Sequence, residues 1–328
     1  MINKFEGGKT MEVVTFGESM VLFSSDKNLP LEYVHQFNKQ MAGAESNVAI
    51  GLAKLGHRVG WFSKLGDDPF GRYVLHRIRG YGIDTSRCMC ISDAPTGVFF
   101  KEQRSRGKTG VYYYRRHSAA SLMHPDELDE EYLAGFKILH ITGITPALSS
   151  NCLALTRKAV AAAKKRGLKI VFDPNVRWKL WESEEAAKEI LLELAGSADY
   201  VLPGLDEGEL LTGFTQPEDI AAALLRPGVA GVVVKLGSKG AYYKSAQHSG
   251  YMAPFPAEEV DPVGAGDAFA AGFISGLLHG EELEQATLRA GAMGAIAVGV
   301  NGDVEGLPNE TELLYRINST EDYQNVKR

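Results

Sequence analysis

The sequence predicts an α/β fold, with a central, mostly parallel sheet flanked by helices and a small β-sheet lid. Three observations carry that expectation. From Phe136 onward, short strand-like runs at 137–141, 169–172, 200–202 and 231–235 alternate with segments of helical periodicity. The later runs are almost continuously apolar, as strands covered on both faces should be. Between Thr96 and Arg116 the alternation stops, and two strand-like runs follow each other with no helix between them.

Composition bounds the rest. A chain of 328 residues, 45% hydrophobic and 23% charged, can bury a sizeable core. It carries no Pro-rich linker, low-complexity tract or internal repeat, so 1–328 reads as a single domain. Strands within about 18–40 and 96–116 would form the lid. A net charge of −6 argues against nucleic acid or an anionic membrane as the main partner. Three cysteines are too few for a disulfide framework, and Cys88-x-Cys90 lacks a second ligand pair. With no leader-like start and no apolar run of spanning length, the expected location is cytoplasmic. Residues 1–10 read as a loose extension.

Taken in order, 13–16 is a β-rich run stopped by Gly17. The stretches 20–24 and 31–37 alternate loosely, as exposed strands do. A small polar segment, Ala42 to Asn47, precedes a helix with Val48, Leu52 and Leu55 on one face and Gly56 as its cap. A strand is expected at 58–64, a turn at 66–69 and a helix at 70–81 ending at Gly82. Runs 97–103 and 110–116 should pair as an antiparallel hairpin. Tyr113 and Arg115 alternate along one strand and so share a face. A phenol beside a guanidinium suits a small polyhydroxylated acid; structural pairing across the hairpin would explain them as well. Helices are expected at 149–166, 184–194 and 206–211. The run 241–244 should fold back on the strand before it, and an Ala- and Gly-rich helix should span 283–298.

The chemistry concentrates in Asp261-Pro262-Val263-Gly264-Ala265-Gly266-Asp267, which runs into an apolar helical stretch. Gly264 and Gly266 lack Cβ atoms, so a ligand can approach their amides closely at a helix start, where an anion is favoured. A carboxylate there, at Asp267, suits transfer of a phosphoryl group to a hydroxyl, which needs a base and donors for phosphate oxygens. A Gly-rich helix start packed on a strand is the competing reading. In parallel α/β sheets ligands bind beyond the carboxyl ends of the strands. That selects Asp173-Pro174-Asn175-Val176-Arg177, Pro203-Gly204-Leu205-Asp206-Glu207 and Leu236-Gly237-Ser238-Lys239-Gly240. Arg177 could serve a phosphate or carboxylate, or be a surface charge. Glu207 could hold magnesium through water, or simply complement a helix N-terminus. Gly237 and Gly240 fit a hairpin turn as readily as a ligand loop. No G-x-x-x-x-G-K-[ST] and no G-x-G-x-x-G after the first strand occurs, so a P-loop and a nicotinamide dehydrogenase fit poorly.

With these residues collected, the chain resembles the PfkB, or ribokinase-like, family of carbohydrate kinases over nearly its whole length. Asp261 to Phe269 is similar to that family's D-T-x-G-A-G-D motif. Ala42 to Ala49, followed by Leu55-Gly56 and Gly66-Asp67-Asp68, is similar to its first motif. The resemblance implies ATP and Mg2+ as cofactors and a β lid through which homo-oligomers form. It implies Asp267 as base, with the amides of Gly264, Ala265 and Gly266 and the Arg177 cation completing the catalytic set. Gly43, Ala44, Glu45, Ser46, Asn47, Phe99, Tyr113, Arg115, Arg177 and Asp303 become sugar contacts. Asn175, Lys235, Leu236, Gly237, Ser238, Lys239 and Gly240 line the nucleotide, with Glu207 on magnesium through water. Tyr112 to Ser121 and Phe172 to Trp181 look most like members acting on 2-keto-3-deoxy sugar acids. The arginines make sense of an acid substrate; fructose, a ketodeoxygalactonate, or sugar sensing without catalysis are the rivals. Three residues depart from the family pattern: Pro262 for Thr, Gly204 for the Asn of an N-x-x-E element, and Phe99 for a sugar-touching Tyr.

Overall fold

The computed structural model describes residues 11–25, 27–104 and 108–326. The extension expected at 1–10 and the tip of the hairpin loop lie outside these residues. The first half of the chain runs β1 (Val13–Phe16), β2 (Met20–Ser24), β3 (Asn38–Ala42), α1 (Ala44–Lys54), β4 (Val59–Phe62), β5 (Lys64–Gly66) and α2 (Pro69–Gly80). It continues through β6 (Met89–Ile91), β7 (Val98–Arg104), β8 (Lys108–Tyr114), α3 (Glu130–Leu133), β9 (Ile138–Thr142) and α4 (Ser150–Arg166). Next come β10 (Lys169–Asp173), α5 (Glu184–Ala195), β11 (Tyr200–Val201), α6 (Leu205–Thr212), α7 (Pro217–Leu224) and β12 (Gly231–Lys235). The chain closes with β13 (Ala241–Ser245), β14 (Ser249–Met252), α8 (Ala265–His279), α9 (Leu283–Ala297) and α10 (Glu310–Val326).

Eight strands form the main sheet in the order β14-β13-β12-β11-β10-β9-β1-β4. The six from β12 to β4 are parallel, and β13 and β14 add an antiparallel edge. The apolar runs are continuous because both faces are covered. Val13, Val171 and Val233 face one core with α1, α8 and α9, while Val14, Phe172 and Val234 face the other with α4, α5 and α7. A second sheet, β3-β2-β7-β8, stands apart from the first. In it β7 and β8 form the expected antiparallel hairpin, and β2 runs parallel to β7. Among the described residues no helix is long and apolar enough to cross a membrane.

Local signals set the helix ends. The Asp68 carboxylate accepts from the amides of Phe70 and Gly71 at 2.8 and 2.7 Å, and Pro69 fills the first helical position. Ser149 and Ser183 cap α4 and α5 in the same way. Three segments differ from the sequence reading, the first being the helix expected from Val48, which already begins at Ala44. Residues 31–33 form a 3-10 turn after Pro30, not a strand, and the Leu31 amide bonds the Glu102 carboxylate. The strand opposite β2 is instead 38–42, with Met20 paired to Ala42 and Ser24 to Asn38. The run 58–64 divides: β4 joins the main sheet, and β5 leaves it to pair with β6. Helices α3, α7 and α10 and the short strands β6 and β14 lie outside the elements read from the sequence, although Pro217, Ile220, Ala221 and Leu224 bury one face of α7 at helical spacing.

α8 and α9 pack through small residues. A Cβ on Gly272 would lie 2.9 Å from both Ala290 Cα and the Arg289 carbonyl oxygen. Those are backbone atoms and cannot swing aside. Gly272→Val should therefore cost about 1–3 kcal/mol of stability. Urea denaturation checks this; an unchanged midpoint would mean that the two helices can part at little cost.

Candidate active site

The site begins at the N-terminus of α8. Gly264 caps that helix at φ +80°, and a Cβ there would lie 2.8 Å from the Asp303 carbonyl oxygen. Left-handed backbone and close approach both demand glycine. The Ala265 amide is used on the Pro262 carbonyl at 3.3 Å. Gly266 and Asp267 thus supply the first-turn amides at a helix end that favours an anion.

Asp267 projects from this first turn into a network drawn from distant parts of the chain. Asn47 Nδ2 donates to Asp267 at 2.8 Å and to Asp303 at 3.1 Å. Asn175 Nδ2 donates to the other Asp267 oxygen at 3.3 Å. Asn175 can reach because it holds φ +39°, a conformation Asn tolerates, with its own amide turned onto Asp173 at 3.2 Å. Burial pushes the Asp267 carboxyl up to about 7; Asp303 and Asp173 add to the rise, and Asn47 and Arg177 oppose it. Burial likewise lifts Asp303 to about 6. A carboxyl poised near neutrality can take a proton from an alcohol and later release it.

The strand ends supply the cations. Lys235, closing β12, pairs with Asp173, closing β10, at 2.7 Å. Burial alone would lower Lys235; the Asp173 and Glu207 carboxylates outweigh it and hold the ammonium above its ordinary value. Among the described residues no acid lies within ion-pair reach of Arg177, so its charge stays available to an incoming anion. Glu207 accepts from the amides of Gly204 at 2.7 Å and Val176 at 2.8 Å. It therefore acts as the helix-start carboxylate and ties α6 to the loop after β10.

The lid sheet closes the opposite side. Phe99 stacks on Tyr113 with ring centroids 5.2 Å apart, and Met20, Leu22 and Val111 complete an apolar wall. Arg115 lies 5.5 Å from the Tyr113 ring and pairs with buried Glu18, which also accepts from the Ser118 hydroxyl. The cavity, about 500 Å³, joins this wall to Gly43, Ala44, Asn47, Asn175, Arg177, Gly264, Gly266, Asp267 and Asp303. A second cavity of about 590 Å³ shares Lys235 and Glu207 with the first and continues along Trp178, Gly204, Leu236 and Gly237.

Several expected contacts lie elsewhere. Glu45 points beneath α1, accepting from the Thr142 and Thr145 hydroxyls at 2.6 and 2.7 Å. The Ser46 hydroxyl turns onto the Gly43 carbonyl at 2.9 Å. Ser238, Lys239 and Gly240 line neither cavity, nor does Ala265. Gly240 serves the hairpin turn, since a Cβ there would strike the Met252 carbonyl at 2.0 Å. Glu18, Lys101 and Trp178 line the cavities without having been singled out. Applying the strand-end rule to β1 would have found Glu18, and the alternation from Phe99 would have found Lys101.

A family model described as pfkB family carbohydrate kinase matches residues 10–310. The chain belongs to this family. A 2-dehydro-3-deoxygluconokinase of Bacillus subtilis (strain 168) is 43% identical over 305 residues, covering 92% of this chain and 94% of that protein. Fructokinase-1 of Oryza sativa subsp. japonica is 33% identical, over 94% of this chain and 98% of that protein. An Escherichia coli protein solved in complex with ATP and Mg2+ superposes with a TM-score of 0.88 at 30% identity, over 94% of this chain and 99% of that one. The protein is thus a carbohydrate kinase of ribokinase-like fold. For magnesium the fit is partial: among the described residues no cluster of three metal-ligating side chains exists. Both Glu207 oxygens already accept amides. Such a site suits an ion held chiefly by phosphates and water.

The raised carboxyl of Asp267 predicts how stability follows pH. Unfolded, Asp267 ionises near its ordinary 3.8; folded, near 7. The folded form therefore binds more protons between these values and loses stability as pH rises through them. Asp267→Asn removes that loss. Its melting temperature should match the parent's near about pH 4 and exceed it above about pH 8. A constant difference across the range would show that the folded Asp267 carboxyl is not raised.

Proposed function

We propose that this kinase transfers the γ-phosphoryl group of ATP to the 6-hydroxyl of 2-keto-3-deoxy-D-gluconate, the compound also called 2-dehydro-3-deoxygluconate. One observation carries the reading: a carboxyl poised near neutrality at a helix N-terminus shares a cavity with Tyr113, Arg115 and Arg177. The named activity of the Bacillus subtilis relative points the same way.

Asp267 accepts the proton of the 6-hydroxyl as that oxygen attacks the γ-phosphorus, and ADP departs. The amides of Gly266 and Asp267 and the Arg177 guanidinium face the charge that develops on the transferring group. Lys235 stands between the two cavities, where the nucleotide's phosphates would pass. Magnesium, when bound, neutralises phosphate charge. Phe99 and Tyr113 cover the sugar and exclude water, which suppresses ATP hydrolysis. Arg115 and Tyr113 orient the acid end. The same lid sheet carries exposed Tyr112 and Tyr114 on its other strand face, the surface through which two copies would pair. The cytoplasm is the proposed location.

The pairing of Arg115 with Glu18 favours a second reading, because a guanidinium already neutralised gives a carboxylate substrate less advantage. Fructose is the corresponding acceptor. ADP release measured with ketodeoxygluconate, ketodeoxygalactonate, fructose and ribose separates these. The acid should exceed fructose by about 100-fold or more in kcat/KM. Equal turnover of fructose would replace the substrate, and no ADP with any sugar would favour a sensor. Asp267→Asn should cut kcat by about 100- to 10000-fold with sugar binding still measurable by calorimetry. Retained turnover would remove Asp267 from the base role.

A further inference from the structure

The two reacting groups are held by different parts of the fold. The sugar side is walled by the lid sheet through Phe99 and Tyr113, and the phosphate side by the turn into α8. Transfer needs the attacking oxygen and the phosphorus aligned, and a misplacement of about 1 Å costs about 100-fold in rate. Something must therefore register the lid against that turn.

Lys101 is placed to do so. It lies two residues beyond Phe99 on β7 and so shares the lid's inner face. Its ammonium pairs with the Asp261 carboxylate, and the two side chains are 5% and 4% exposed. Asp261 opens the segment leading to Gly264. One carboxylate oxygen accepts from the Val263 amide at 3.2 Å and the other from the Gly302 amide at 3.4 Å. Through this single carboxylate, Lys101 reaches both the turn into α8 and the segment that brings Asp303 onto Asn47. A buried ion pair is weak evidence for stability, since desolvation offsets most of its attraction. Its position between two substrate-bearing elements is what gives it a role.

We propose that Lys101 is a positioning residue for phosphoryl transfer: through Asp261 it sets the α8 turn against the lid, and so the phosphate against the acceptor hydroxyl. It acts through Asp261 and touches neither reacting atom. The proposal rests on the kinase activity and not on the identity of the sugar, so its test uses whichever acceptor in the panel above turns over fastest.

Lys101→Met keeps the length of the side chain and removes its charge. It should lower kcat by about 100-fold, while KM for the sugar and for ATP stays within about threefold, since uniform binding is untouched. Lys101→Arg should recover most of the loss. Asp261→Asn should match Lys101→Met, and the double variant should be no worse than either, because the pair acts as one unit. Should Lys101→Met fold poorly through its unpaired buried carboxylate, the double variant, which leaves none, carries the same kcat test. A rise in sugar KM with kcat retained would make Lys101 a substrate contact and overturn the proposal. A lowered melting temperature with kcat and KM both unchanged would overturn it too, leaving a purely structural pair.

Discussion

One amide holds the centre of this molecule together. Asn47 donates from a single nitrogen to Asp267 and Asp303, residues 220 and 256 positions further along the chain. Two carboxyls brought that close cannot both ionise freely, and each rises from its ordinary value as burial removes water. Without the donor the pair would repel, although α1 would still pack on α8 through small residues such as Gly51 and Ala271. With it, one carboxyl is left near neutrality at a helix end that attracts anions. The proton chemistry of the site follows from this arrangement.

The charges around that centre are arranged economically. Arg115 pairs with Glu18, Lys101 with Asp261 and Lys235 with Asp173. Arg177 alone among these cavity cations forms no ion pair among the described residues, acting on Asp267 only at longer range. The paired cations hold segments in place, and the unpaired one remains for a ligand. An acidic protein can in this way bind anionic substrates through local donors, with no positive field of its own.

Much of this was legible beforehand. The alternation of apolar runs and helices predicted the main sheet, because a strand buried on both faces must be apolar throughout. The Gly264-Ala265-Gly266-Asp267 turn predicted a helix start, and the structure has one there. The errors share a cause. At 43–47 the sequence offers five consecutive residues to the ligand, yet a helical turn points them in different directions. Asn47 and the backbone of Gly43 and Ala44 face the cavity, while Glu45 and Ser46 turn inward to Thr142, Thr145 and the Gly43 carbonyl. The strand expected at 31–37 moved to 38–42 because strand pairing is decided by the partner, β2, and not by alternation alone.

By itself, then, the sequence determined the layers, the hairpin, the carboxylate at the head of α8 and the polar residues at the strand ends. These depend on local periodicity, on glycine stereochemistry and on turn chemistry, all written within a few residues. The tertiary structure decided which charges pair, which stay available and how far each carboxyl departs from its ordinary acidity. Those depend on distances of a few ångströms between residues far apart in the chain, and on how much water the fold removes from around them. Arg115 and Arg177 read alike in the sequence; only the approach of Glu18 to one of them makes them different.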